Sequence, residues 1–206
     1  MTLLDFMTRD DLPGGCALDD TLEWLAETKP ATADDVVATC HHGERLLWLA
    51  ERSGVPEDMR SAAVRPAVMR AARVYAADAC DATGLSEHAA AFRALPDDAT
   101  NEDVNGVADD AAKAADAALQ WARAHLWPDA VAKAESAARS AYAVGRAVRE
   151  AIWSAKDAGL CDFTEVAGWV ANSAPDRNAE HALCAAEVRA AIPDLAERVQ
   201  RAMEAA

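Results

Sequence analysis

Residues 107–126 read VADDAAKAADAALQWARAHL, and this stretch decides the fold class. Val107, Ala111, Ala114, Ala118, Ala122 and Leu126 fall at i, i+4, i+7, i+11, i+15 and i+19, the spacing of one continuous apolar stripe on an α-helix. Ala has the highest helix propensity and loses no rotamer freedom on burial. The stripe is therefore a surface for close helix packing. Pro128 breaks the pattern, and a second long helix is predicted to run to Lys156. Its inward face is expected at Val131, Ala134, Ala138, Tyr142, Gly145, Val148 and Ile152. Small residues on two facing stripes let helix axes approach at the short end of the usual range.

Working outward, the same texture covers the chain. Asp19 or Asp20 can cap the helix TLEWLAE, which Pro30 ends. Thr32 followed by Asp35 gives a capping-box start for ADDVVATC. Gly43–Arg52 carries Leu46, Leu47, Leu49 and Ala50 at helical spacing around Trp48, and Gly54 and Pro56 separate it from the next element. From Glu57 a long helix is predicted to about Cys80 with a kink near Pro66, closed by Gly84 and followed by SEHAAAFRAL. PDDATNEDVNGVADD reads as an acidic loop or helix start. After Gly159 come two further helices, in DRNAEHALCAAEVRAAI and DLAERVQRAMEA. The prediction is an all-α, Ala-rich bundle of about eight to ten helices forming one domain over residues 1–206, with short N-terminal and long central helices.

Composition narrows the function. Hydrophobic residues make up 52% of 206 residues but aromatics only 5%, and the formal net charge is −15. That charge disfavours direct contact with nucleic acid or an anionic membrane, both of which are negative. The opening MTLLDFMTRDD turns acidic within five residues, unlike a secretory leader, and no apolar run approaches the ~20 residues that span a bilayer. Cys16, Cys40, Cys80, Cys161 and Cys184 are odd in number and irregularly spaced. They are expected to be small buried hydrophobes of a cytoplasmic protein.

Candidate chemistry is sparse. Cys40, His41 and His42 are consecutive, so on a helix they point about 100° apart and cannot all face one ion. His181 and Cys184, at i and i+3, would make a second pair. A metal-binding protein or enzyme using Cys40, His41 or His42 with His181 is thus one alternative. The preferred reading makes CHHG a junction, with Cys40 ending one helix and His41-His42-Gly43 turning into the next, and neither metal nor cofactor. No nucleophile elbow or P-loop is present. The Glu-x-x-His pattern of di-iron bundles is missing, since Glu87-His88 and Glu180-His181 are adjacent pairs. No catalytic residue is assigned. Arg139, Arg146 and Arg149 share one helix side, with Glu135 and Glu150 spaced as surface ion-pair partners.

The acidic residues carry the expectation instead. Residues 1–40 hold nine acids against two bases, and residues 97–120 hold seven against one, so these segments contain −13 of the −15. Asp10, Asp11, Asp19, Asp20, Asp34, Asp35, Asp97, Asp98, Glu102, Asp103, Asp109 and Asp110 are the candidate partner-binding residues. Several of them sit where Asp would cap a helix. The others suit a basic protein surface, such as that of a nuclease or nucleic-acid-handling complex.

The segment CALDDTLEWLAETKPATADDVVATCHHGERLLWLAERSGV resembles the opening of small helical proteins of bacteria and their phages. In those a Cys-containing Leu-x-Trp-Leu helix precedes a Leu-Leu-Trp-Leu helix. The Ala-rich remainder, with VRPAVMRAARVYA, is similar in texture to immunity proteins of bacterial toxin systems. The resemblance implies packing roles for Trp24, Leu46, Leu47 and Trp48. It also implies a class of helical proteins associated with mobile elements; taken with the acidic segments, the leading expectation is a non-enzymatic inhibitor of immunity or phage anti-defence type, acting as a nucleic-acid mimic. A structural module that forms oligomers is the remaining alternative.

Overall fold

In the computed structural model the described backbone covers residues 3–8, 19–28, 30, 32–156 and 163–205, and the described side chains cover the same ranges except 7, 19–22, 26, 147–156 and 164. Every described element is helical. They are α1 (Leu3–Thr8), α2 (Asp19–Thr28), α3 (Ala33–Thr39), α4 (Gly43–Arg52), α5 (Glu57–Arg70), a π-helical segment (Ala71–Ala76) and α6 (Ala77–Thr83). There follow α7 (Ser86–Arg93), α8 (Asn101–Ala124), α9 (Pro128–Lys156), α10 (Phe163–Ser173), α11 (Arg177–Ala191) and α12 (Leu195–Ala205). The α5–π–α6 run is one uninterrupted rod, which leaves eleven rods among the described residues. The chain is an all-α protein. The rods that hydrophobic periodicity did not announce are α1 and α10.

α4 is the centre. Leu46, Leu47, Trp48, Leu49 and Ala50 are buried, and so are Glu44, Arg45 and Arg52, so this helix has almost no solvent face. Arg52 donates from Nε to the Phe6 carbonyl at 2.7 Å and lies over the rings of Phe6 and Trp48. Arg45 lies over Trp24 in the same way. Two cationic stems thus fasten α1 and α2 to α4 through aromatic rings, each contact worth ~0.5–2 kcal/mol. This is why a six-residue helix persists at the N-terminus: Phe6 is fully buried. α10 and α11 flank α4 on its other sides.

α8 and α9 form an antiparallel hairpin and pack along their length. α8 begins six residues earlier than its stripe suggests, because Thr100 and Asp103 close a capping box. Its buried face is Val104, Ala108, Ala111, Ala115 and Ala122. Val107, Ala114 and Ala118 are half-buried flanks, and Leu126 is exposed in the turn. On α9 the buried line is Ala134, Ala137, Ala141 and Val144, with Gly145 also buried and Val131 and Ala138 half-buried, while Tyr142 is exposed. The expected stripes were thus rotated by a fraction of a turn, because Ala is so frequent that several registers look alike. Val148 and Ile152 lie outside the described side chains, as do Arg149 and Glu150. Glu135 pairs with Arg123 across the hairpin at 2.6 Å, whereas Arg146 lies over the Trp169 ring of α10. Glu135, expected to pair with Arg139 within α9, thus takes its partner from α8.

The long rod continues through Pro66. Ala62 and Pro66 are both exposed, so the carbonyl that loses its amide partner meets water. Regular α geometry yields five residues later, in the π segment. Gly84, at φ 84°, closes the rod in the left-handed region. No helix of the described residues is long and apolar enough to cross a membrane.

α4 approaches α11 closely at Gly43. A Cβ there would meet Cys184 Cβ at 2.7 Å and the Cys184 carbonyl carbon at 3.0 Å, and would lie closer still to Sγ. Gly106, on α8, has nothing within 4 Å of the same position. Gly43→Ala is therefore expected to destabilise the protein by about 1–3 kcal/mol through overpacking. Gly106→Ala should stabilise it by about 0.5–1 kcal/mol through helix propensity. Urea midpoints of the two variants check both signs.

Candidate functional site

The expected acidic patch divides when placed on the fold. Asp35 and Asp103 spend their carboxylates on capping boxes with Thr32 and Thr100. Asp97 pairs with Arg73 at 2.6 Å, Asp110 with Lys113 at 3.4 Å, and Asp109 accepts from Asn105. Asp34 lines a groove between α3 and α12 with Glu197 and Arg201. Glu102, Asp103 and Asp110 converge with Glu87 and His88 on a separate groove of about 520 Å³ between α7 and α8. Asp98 is exposed in the turn before α8. Among the described residues, Asp34 therefore lines a different groove from Glu102, Asp103 and Asp110. Asp10 and Asp11 lie outside the described residues, as do Cys16 and Cys161, and the side chains of Asp19 and Asp20 are not described.

The second feature is buried and polar, where α11 meets α4, α5 and the π segment. Arg70 holds Glu180 through Nε and Nη2 (2.6 Å for the shortest contact), and donates to Glu187 through Nη1 and Nη2. Tyr75, in the π segment, donates its hydroxyl to Glu180. Glu180 is only 1% exposed. Burial works against the Arg70 charge, but its hydrogen bonds to Glu180 and Glu187 outweigh that and raise its pKa. Burial, with the hydrogen bond to Glu180, pushes the Tyr75 hydroxyl up to about 12.

One residue along, His181 is buried against His42, with ring centroids 4.7 Å apart. His42 Nδ1 stands 3.6 Å from Glu44 Oε1, and Arg177 donates from Nε to His181 Nε2 at 3.3 Å. The CHHG junction explains the arrangement. Cys40 caps α3, its buried thiol facing the His42 carbonyl at 3.5 Å, and Arg189 of α11 donates to the Val37 and Cys40 carbonyls. His42 is the N-cap of α4, and Gly43 lets that helix press onto Cys184. The structure thus joins His42 to His181, as one alternative reading of the sequence required, and adds Glu44. His41 is exposed, and Cys40 is turned into the junction. Glu44 was legible only as a first-turn acid; that it faces α11 depends on tertiary packing.

The third feature is apolar and exposed, at the α8–α9 turn. Trp121 is 51% exposed, Leu126 85% and Trp127 55%. Trp121 stacks on His125 with centroids 4.3 Å apart and meets Trp127 edge-on at 5.1 Å. Trp127 N–H bonds to the Ala122 carbonyl and Leu126 N–H to that of Arg123, the two bonds of a Schellman motif. Its left-handed position is usually glycine, yet Leu126 occupies it at φ 57°. A non-glycine residue held there costs about 1–2 kcal/mol. The turn borders a groove of about 1000 Å³ that reaches Asp81, Thr83 and Gly84 of α6 and its cap, and Asp129 and Lys133 of α9. Leu126, expected on the inward stripe, stands outside it because α8 ends at Ala124. The sequence signal for the turn is three bulky apolar residues within seven positions around a helix-ending Trp-Pro.

No family model, curated protein or solved structure matches the chain. Its function is therefore argued from these three features.

The buried node makes a pH-dependent statement. Burial, with Glu187 and Glu180 nearby, pushes the Cys184 thiol from 9.0 up to about 12. Cys184 and Tyr75 both hold their protons more tightly folded than unfolded. Stability linked to them is complete below the unfolded values and is lost as pH rises through the window from 9 toward 12. The urea midpoint is expected to fall between about pH 8 and pH 10.5, with a shallower fall in Cys184→Ala. The same burial should keep Cys40, Cys80 and Cys184 unreactive to iodoacetamide until the protein unfolds.

Proposed function

We propose that this chain is a non-enzymatic binding protein that docks one face of α8 onto a basic protein surface and inhibits its partner by covering it. One observation carries the reading: Asp103, Asp110 and Trp121 stand at i, i+7 and i+18 on a single α-helix. At ~100° per residue they fall within about 20° of one line along the helix. The acidic groove and the aromatic turn therefore occupy the same side of α8. They are separated by roughly 20 Å at 1.5 Å rise per residue, within the span of one standard interface.

The two ends have different tasks. Glu87, Glu102 and Asp110 supply negative potential that accelerates encounter with a basic partner and excludes acidic ones. Trp121, Leu126 and Trp127 supply the desolvated anchor that a binding hot spot needs, and Trp is the residue most enriched in hot spots. The occupant we assign is a protein segment with an apolar side chain for the turn and Lys or Arg for the acidic groove. A chain with a formal charge of −15 complements such a segment and opposes an acidic one. This retains the inhibitor expectation, with the acids steering association, and assigns the short-range apolar contact to the turn.

Leu126 gives a test that separates function from folding. Replacing it by glycine relieves the left-handed strain, so Leu126→Gly should raise stability by about 1 kcal/mol. At the same time it should weaken partner binding at least about tenfold. The experiment captures proteins from nuclease-treated bacterial lysate, purifies whatever the parent chain retains, and measures direct binding to the parent and three variants. Leu126→Gly and Trp121→Ala should raise koff, Glu87→Gln/Glu102→Gln/Asp110→Asn should lower kon, and added salt should lower kon for the parent. A purified partner that binds Leu126→Gly and Trp121→Ala as tightly as the parent would contradict the reading. So would self-association of the chain through the turn with no other protein retained.

A further inference from the structure

The junction between α4 and α11 brings together three side chains that the binding face does not use. One donor atom from each of His42, Glu44 and His181 lies within 4.8 Å of the other two. We propose that this is a site for a divalent first-row transition cation, with Zn²⁺ as its natural probe. Two imidazoles and one carboxylate are nitrogen and oxygen donors of the kind that Zn²⁺ accepts as a three-ligand set, with a further position open to water. A tetrahedral ion with bonds of ~2.0–2.1 Å holds its donors roughly 3.3 Å apart. His42 Nδ1 and Glu44 Oε1, at 3.6 Å, are already close to that separation. The widest pair must contract by roughly 1.5 Å, a movement within reach of side-chain rotation alone.

The surroundings supply what such contraction requires. His181 stands beside Glu180, which Arg70 and Tyr75 clamp in place. His181 is therefore the fixed ligand of the three. His42 is half-exposed and Glu44 has three side-chain torsions, so the two mobile ligands close on the fixed one. The exposed side of the His42 ring gives the ion a path from solvent. Gly168 of α10 faces the Glu44 carboxylate, where a Cβ would stand 3.5 Å from Oε2. The carboxylate therefore has room on that side.

Two charges oppose the ion, and one of them makes the proposal testable. The N-terminus of α4 presents the positive end of its dipole, which Glu44 offsets from the first turn. Arg177 donates to His181 Nε2. A neutral imidazole has one lone pair, so a metal on either ring nitrogen of His181 must displace Arg177. Arg177 is exposed and can swing into solvent. The ion and the arginine compete for one ring. Removing Arg177 should therefore tighten metal binding, an effect that no general weakening of the fold produces.

The test is calorimetric titration of the tag-free, chelator-treated full chain with Zn²⁺, repeated with Co²⁺ to read ligand-field absorption. The parent should bind one ion per chain. His42→Ala and Glu44→Gln should each lose about tenfold or more in affinity. Arg177→Ala should bind more tightly than the parent, and exposed His41→Ala should bind like it. His42→Ala replaces a half-exposed side chain, so its fold is expected to survive even if His181→Asn does not. The proposal is overturned if the parent takes up no Zn²⁺, if His42→Ala binds as well as the parent, or if Arg177→Ala binds more weakly.

Discussion

The Arg70 guanidinium, shared between Glu180 and Glu187 with the Tyr75 hydroxyl closing over Glu180, fixes α11 against the long rod. Burying a carboxylate as fully as Glu180 is expensive, and its partners offset that cost only in good geometry. The contact therefore acts as a registration device: α11 sits where Glu180 can be neutralised. Much else follows from that register. Cys184, one turn along α11, meets Gly43. Arg189 reaches the last carbonyls of α3, and His181 stacks on His42. The π segment belongs to the same constraint, because it is the element that carries Tyr75. An extra residue in a helical turn rotates every side chain beyond it.

The molecule separates holding from meeting. Its charged residues near the centre are consumed: Arg52 by Phe6 and Trp48, Arg45 by Trp24, Arg70 by two glutamates. The α8–α9 hairpin is built differently. Its contact face is almost all Ala, which packs closely but buries little area per residue, and its outer side carries the acids and the aromatic turn. Leu126 in a glycine position and two exposed tryptophans are a stability cost that packing does not explain. Such costs collect where a surface serves something other than folding.

The sequence made much of the architecture legible, for physical reasons that differ by element. Long helices announced themselves through Ala content and capping signals, and the Thr32–Asp35 box is present in the structure. α1 stayed hidden because its reason to exist is one buried Phe6 under Arg52, a contact 46 residues away in sequence. Stripe registers on α8 and α9 were ambiguous because Ala populates every face. At the candidate sites, the acidic residues were legible as residues but not as grooves. His42 with His181 was one pairing among several, and Glu44 could be added only by the fold. The aromatic turn was misread because Leu126 fits a helical period that ends just before it.

The buried ion cluster sets the position of α11, and a double-mutant cycle between Arg70 and Glu180 tests this. Arg70→Met is expected to cost about 3–5 kcal/mol in urea unfolding, because it strands the buried Glu180 carboxylate, and Glu180→Gln a smaller amount, because Arg70 keeps Glu187. The double variant should cost clearly less than the sum, with a coupling of at least about 2 kcal/mol. Strict additivity, with both single costs below about 1 kcal/mol, would mean that α11 is placed by apolar packing alone.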